Sequence, residues 1–156
     1  MRRLGALGTV LRAGLAAGVL DTFLAMGMYG IGPTIVYQSV ASGLLGRAAF
    51  RGGVPTAALG MLLHFFIAST AAAVYFGASV KLRLLVRQAV PFGLAFGVAV
   101  YFFMKCVVLP LSAARQTPFA WAGLIGHALL VGLPIALVVR REASVSPGRT
   151  LANDRG

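Results

Sequence analysis

Four side chains could do chemistry that their surroundings cannot: Asp21, His64, Lys105 and His127, each standing inside a long apolar run. Ionisable groups are rare in such runs, where they face the protein interior, pair with one another, or mark ion and substrate paths. A carboxylate and an ammonium relieve each other's cost of burial. The expected arrangement is therefore an Asp21–Lys105 ion pair, with His64 or His127 and Tyr101 completing a polar network.

Other uses follow from the same residue types. Asp21, His64 and His127 could form a proton relay whose affinity Lys105 sets, because imidazole changes charge near neutrality. His64 and His127, on different runs at matched depth, could supply both axial ligands of a b-type haem. With Asp21 they could also hold zinc, but the short spacings of zinc ligands are missing and no metal site is expected. Catalytic signatures are absent: there is no G-x-S-x-G, no phosphate-binding glycine loop and no H-E-x-x-H, and Ser39, Ser42, Ser69 and Ser112 have no adjacent base. No catalytic residue is assigned, and a non-enzymatic protein is expected. Cys106 is the single cysteine, so no intrachain disulfide can form; within its apolar run it reads as a packing residue.

The elements that carry these residues follow from composition. Of 156 residues, 59% are hydrophobic and 11% charged, where a soluble domain has about a quarter charged. The net charge of +11 lies in short clusters between apolar runs, without a basic face interleaved with aromatics, so nucleic acid is not an expected partner. The runs at 13–31, 54–78, 89–113 and 119–139 each reach the roughly 20 residues a helix needs to cross a hydrocarbon core. They are too long and too continuous for barrel strands. The fold class expected is all-α: a polytopic membrane four-helix bundle with the lipid bilayer as its partner.

Arg2 and Arg3 followed by apolar residues imitate a signal peptide, but Arg12 interrupts the run and no cleavage site follows, so the first span is expected to be retained. Arg2, Arg3, Lys81, Arg83, Arg87, Arg140, Arg141, Arg149 and Arg155 would lie on one side, against Arg47, Arg51 and Arg115 on the other. That asymmetry places both termini in the cytoplasm. Residues 1–12 then form a basic cytoplasmic N-terminus and 140–156 a disordered cytoplasmic tail. The connection 32–53 is too short to cross twice; it reads as an interfacial or re-entrant helix, or as a loop packed on the outer rim.

At about 1.5 Å per residue, Asp21, His64, Lys105 and His127 fall roughly 8–15 Å below the outer ends of their spans, in one layer. Small residues mark where helices approach: Gly14 and Gly18 continued by Thr22, Gly93 and Gly97, Gly60 before His64, and Gly123 before His127. Those faces should point to a shared centre, and the Gly14 or Gly93 seam could also pair two copies as a homodimer. Pro134, beside Gly132, leaves the Leu130 carbonyl without its helical donor and should kink the fourth span.

Three stretches carry a resemblance. Ala41-Ser-Gly-Leu-Leu-Gly46, Val107-Val-Leu-Pro-Leu-Ser-Ala113 and Gly126-His-Ala-Leu-Leu-Val-Gly-Leu-Pro-Ile-Ala136 are similar to segments of a group of bacterial four-helix inner-membrane proteins. His64, the basic link at 81–87, Pro110-Leu111, and Gly126-His127 ahead of Arg140-Arg141 resemble the YagU-like family. The resemblance implies a multi-pass protein of the bacterial inner membrane, and neither a catalytic residue nor a cofactor. The functional expectation is an accessory or structural membrane component; a small proton-linked or ion/solute transporter and a bis-histidine haem protein are the alternatives.

Overall fold

The computed structural model describes residues 2–145, and among these all regular structure is helical. The first helix, α1 (Arg2–Tyr29), begins well before the expected start at 13. No proline interrupts residues 2–12, and Thr9 and Arg12 donate to the Gly5 and Gly8 carbonyls one turn back, at 2.9 and 3.1 Å. Residues 2–12 are thus helical and continuous with the first span.

Gly30 ends α1 with a φ of 62°, a conformation that costs glycine little. In α2 (Pro33–Leu45) the proline occupies the first turn, where an N–H would have no helical partner anyway. A 3-10 turn (Gly46–Arg51) leads into α3 (Gly53–Lys81). Residues 32–53 therefore form a short helix and turn seated on α3 rather than a bare loop.

After the single turn α4 (Leu84–Arg87), α5 (Ala89–Phe103) widens into a π-helical turn, Met104–Val108. It stops short of the expected 113. Pro110 offers no N–H to continue the helix, and the Ala113 N–H is instead donated to the Gly43 carbonyl at 2.9 Å, tying this connection to α2. The fourth long helix runs through α6 (Trp121–Gly126), a π-helical stretch (His127–Gly132) and α7 (Leu133–Val145). Pro134 acts through the turn before it, where π geometry re-pairs backbone groups that a proline leaves without donors. Residues 140–145 are helical, which corrects the start expected for a disordered tail; 146–156 lie outside the described residues.

Across the bundle the order is α3, α1, the fourth helix, α5. The end where α1 starts and α4 lies is called basal, and the end with α2 and residues 109–120 distal. A basal core of mostly small residues, among them Ala13, Ala17, Ala72, Ala89 and Ala136, surrounds the fully buried Ile135 and Val139. Tyr75 closes it, donating to the Leu85 carbonyl at 3.0 Å and meeting the Phe96 ring edge-on at 5.1 Å. Arg12 and Glu142 add a basal ion pair of 3.2 Å between α1 and α7; with Arg12 63% exposed it is worth under about 1 kcal/mol.

Glycines set the interhelical distances. A methyl group at Gly14 would lie 2.6 Å from the Ser69 Cα, and one at Gly18 2.7 Å from the Phe65 ring, so both form the α1–α3 seam. Gly93 and Gly97 face the fourth helix, where a methyl at Gly97 would fall 2.6 Å from the Ala128 Cα and one at Gly132 2.6 Å from the Gly97 Cα. Both seams are filled from within the chain. Gly60 points elsewhere than foreseen: it faces the Tyr37 carbonyl of α2 rather than the centre of the bundle. Cys106, read as a packing residue, is exposed.

Candidate functional site

The two histidines meet α1 at one level, beside Thr22 and Asp21, but on two faces. Successive helical residues point about 100° apart, so Thr22 looks toward α3 while Asp21 looks toward the fourth helix. The expected single network is thereby split in two.

On the α3 side, Nε2 of His64 donates to the Gly18 carbonyl at 2.8 Å. A carbonyl only accepts, so this contact assigns the proton to Nε2. The Thr22 hydroxyl donates to the same carbonyl at 2.9 Å and lies 3.3 Å from both His64 Nε2 and the Tyr37 hydroxyl. Tyr37 and Phe65 present ring edges to the imidazole at 5.9 and 5.4 Å. His64 thus joins α1, α2 and α3. Thr22 was visible in the sequence as the continuation of the Gly14–Gly18 stripe, whereas nothing in the sequence pointed to Tyr37.

On the other face, Nδ1 of His127 donates to the Gly123 carbonyl at 2.9 Å, which fixes the tautomer in the same way. Nε2 is left facing Oδ1 of Asp21 at 3.8 Å. Their side chains are 21% and 25% exposed, and among the described residues no hydrogen bond reaches the carboxylate. Tyr101 covers the outer side: its ring meets the His127 ring edge-on at 5.4 Å and lies 3.1 Å from where a methyl at Gly123 would project. Its hydroxyl exchanges hydrogen bonds with the backbone of Ala120, at 3.1 Å to the N–H and 3.2 Å to the carbonyl. Tyr101 is therefore a neighbour of the polar group, while its hydroxyl serves the connection before α6.

Lys105 does not pair with Asp21, which corrects the ion pair expected from the sequence. Its ammonium donates to the Thr117 carbonyl, to the Thr117 hydroxyl at 3.0 Å and to the Pro118 carbonyl at 2.9 Å. Three donors meet three oxygens of the 109–120 connection. Lys105 and His127 both sit on π-helical turns, each followed by a proline. Such turns rotate the residues they carry relative to an α-helix, a shift that sequence spacing cannot register.

Asp21, His127, Lys105 and Tyr101 line one cleft of about 180 Å³ between α1, the end of α5, the 109–120 connection and α6. Leu24, Met28, Met104 and Leu109 form its apolar walls. His64 is not part of it. The two histidines engage different faces of α1 and separate partners. No group of three potential metal ligands gathers among the described residues.

Comparison of the chain with protein-family models, curated proteins and solved structures finds no match.

Proposed function

We propose that the chain is a multi-pass protein of the bacterial inner membrane, YagU-like in layout, with both termini cytoplasmic and an accessory or structural, non-enzymatic role. One observation carries the membrane reading. Four helices of 20 to 29 residues are apolar enough to cross a bilayer, yet at most 39% of the apolar stretch of any one is buried in the fold. Large side chains face outward along them, among them Leu62, Phe66 and Val80 at 67–69% exposure. An apolar surface so continuous requires lipid around it.

Charge and aromatic placement support the orientation. Arg12, Lys81, Arg83, Arg87, Arg140 and Arg141 gather at the basal end, while exposed Tyr29, Phe50, Phe119 and Trp121 ring the distal end, as aromatic residues do at a membrane–water boundary. In this setting α2 and its 3-10 turn cap the outer rim of α3.

The structural role is supported by where the polar groups are used. His64, Lys105 and Tyr101 direct their donors at backbone carbonyls of neighbouring elements, the work of groups that fix how helices dock. Reporter fusions test the placement. A C-terminal fusion to a cytoplasm-active fluorescent protein should glow and a fusion to a periplasm-active phosphatase after residue 115 should be active; the reverse pattern would overturn the orientation, and recovery of the chain without membranes would overturn the assignment.

A further inference from the structure

In the neutral imidazole, Nε2 of His127 is an acceptor that faces Oδ1 of Asp21 at 3.8 Å, with no donor of the described residues between them. Gly123 holds the imidazole proton on Nδ1, so Nε2 presents its lone pair in the neutral ring. Two acceptors in low dielectric, one of them a carboxylate, need a donor that also brings positive charge. Their separation of 3.8 Å is longer than a direct hydrogen bond, so one proton cannot serve both. A single nitrogen carrying several N–H groups can, by sitting about 2.8 Å from each.

We propose that this cleft is a binding site for a primary ammonium group carried on a short apolar chain, with Asp21 as counter-ion and His127 as second acceptor. The walls suit that class of ligand. Leu24, Met28, Met104 and Leu109 would pack along the alkyl chain, and Tyr101 closes one side. The chain's own nearby ammonium, on Lys105, has its three donors engaged by Thr117 and Pro118 and leaves the two acceptors open. An acidic ligand would meet the Asp21 carboxylate, and a quaternary ammonium would bring charge without an N–H for Nε2. The ammonium could belong to a free alkylamine or to the headgroup of an aminophospholipid, since the distal residues Tyr29, Leu109 and Thr117 are part of the lining. The inference goes beyond the membrane assignment: recovery of the folded chain in lipid discs tests that assignment separately.

The test is calorimetric titration of the full chain in phosphatidylcholine discs with hexylammonium, hexyltrimethylammonium and hexanoate, against empty discs. Saturable binding is expected for hexylammonium, at least about tenfold weaker for its trimethylated analogue, and none for hexanoate; a tenfold loss equals about 1.4 kcal/mol. Asp21→Asn should abolish it, and His127→Phe should weaken it about tenfold or more. If both variants fail to fold, the methylation contrast on the native chain still decides. Discs containing phosphatidylethanolamine that block hexylammonium identify the lipid headgroup as the source, and undiminished binding there identifies free amine. Absence of saturable binding, equal binding of hexanoate, or indifference to trimethylation overturns the site. Binding that appears only in Lys105→Met would also overturn it, by showing that Lys105 itself fills the gap.

Discussion

Oδ1 of Asp21 stands 3.8 Å from Nε2 of His127, while the ammonium of Lys105, in the same cleft, is turned to the Thr117 and Pro118 carbonyls. The residues expected to neutralise each other thus serve different elements: Asp21 looks from α1 to the fourth helix, and Lys105 anchors the connection that ends α5.

This separation predicts near-additive energetics. Lys105→Met should cost about 1–3 kcal/mol, the worth of hydrogen bonds from a charged donor, by loosening residues 109–120. In a double-mutant cycle with Asp21→Asn, measured by equilibrium unfolding in mixed micelles, the coupling should stay below about 1 kcal/mol. A double variant more stable than the single changes by about 3 kcal/mol would show a buried pair after all.

The approach of α5 to the fourth helix makes a sharper contrast between two glycines. Gly97→Ala would thrust a methyl to 2.6 Å from the Ala128 Cα, and should destabilise the fold by about 1–3 kcal/mol through overpacking. Gly77 has nothing within 4 Å of its notional methyl, so Gly77→Ala should leave stability within about 1 kcal/mol of the native value. Thermal unfolding of both variants in one detergent checks the pair; equal losses would place the seam elsewhere.

Gly60 bears on α2 alone. Its Cα faces the Tyr37 carbonyl, and a methyl there would also come within 3.2 Å of the Ala41 N. Gly60→Ala should lift α2 from α3 while the α1–fourth helix–α5 packing persists. Amide hydrogen exchange should then quicken across 33–51 by about tenfold or more, a local opening of about 1.4 kcal/mol, with little change near Ile135 and Val139. Uniform quickening through the whole chain would refute that division.

Element existence was legible because the apolar runs are long. Span boundaries were less so, and each discrepancy has a local cause. Residues 2–12 contain no proline to stop α1, Pro110 stops the third span early, and Arg140, Arg141, Glu142 and Ala143, all good helix formers, carry α7 past Val139. Gly14, Gly18, Gly93, Gly97 and Gly123 were recognisable as contact residues because a glycine inside a long helix is hard to explain except by a close neighbour. Gly126, pressed against Leu24, and Gly132, pressed against Gly97, carry the same signal and went unassigned as contacts. The Arg12–Glu142 pair had no signal at all, since its members lie on the first and last helices.

By itself the sequence determined that the chain is helical, that four helices are apolar enough to cross a membrane, and that the apolar run of each holds one acidic, basic or imidazole side chain, because apolar run length and residue type are local properties. Partners are not local. Only the tertiary structure decided that His64 and His127 serve different faces of α1, that Gly60 belongs to α2, and that Lys105 caps a connection, because a rotation of about 100° per residue and a π-helical turn redirect side chains in ways no spacing rule records.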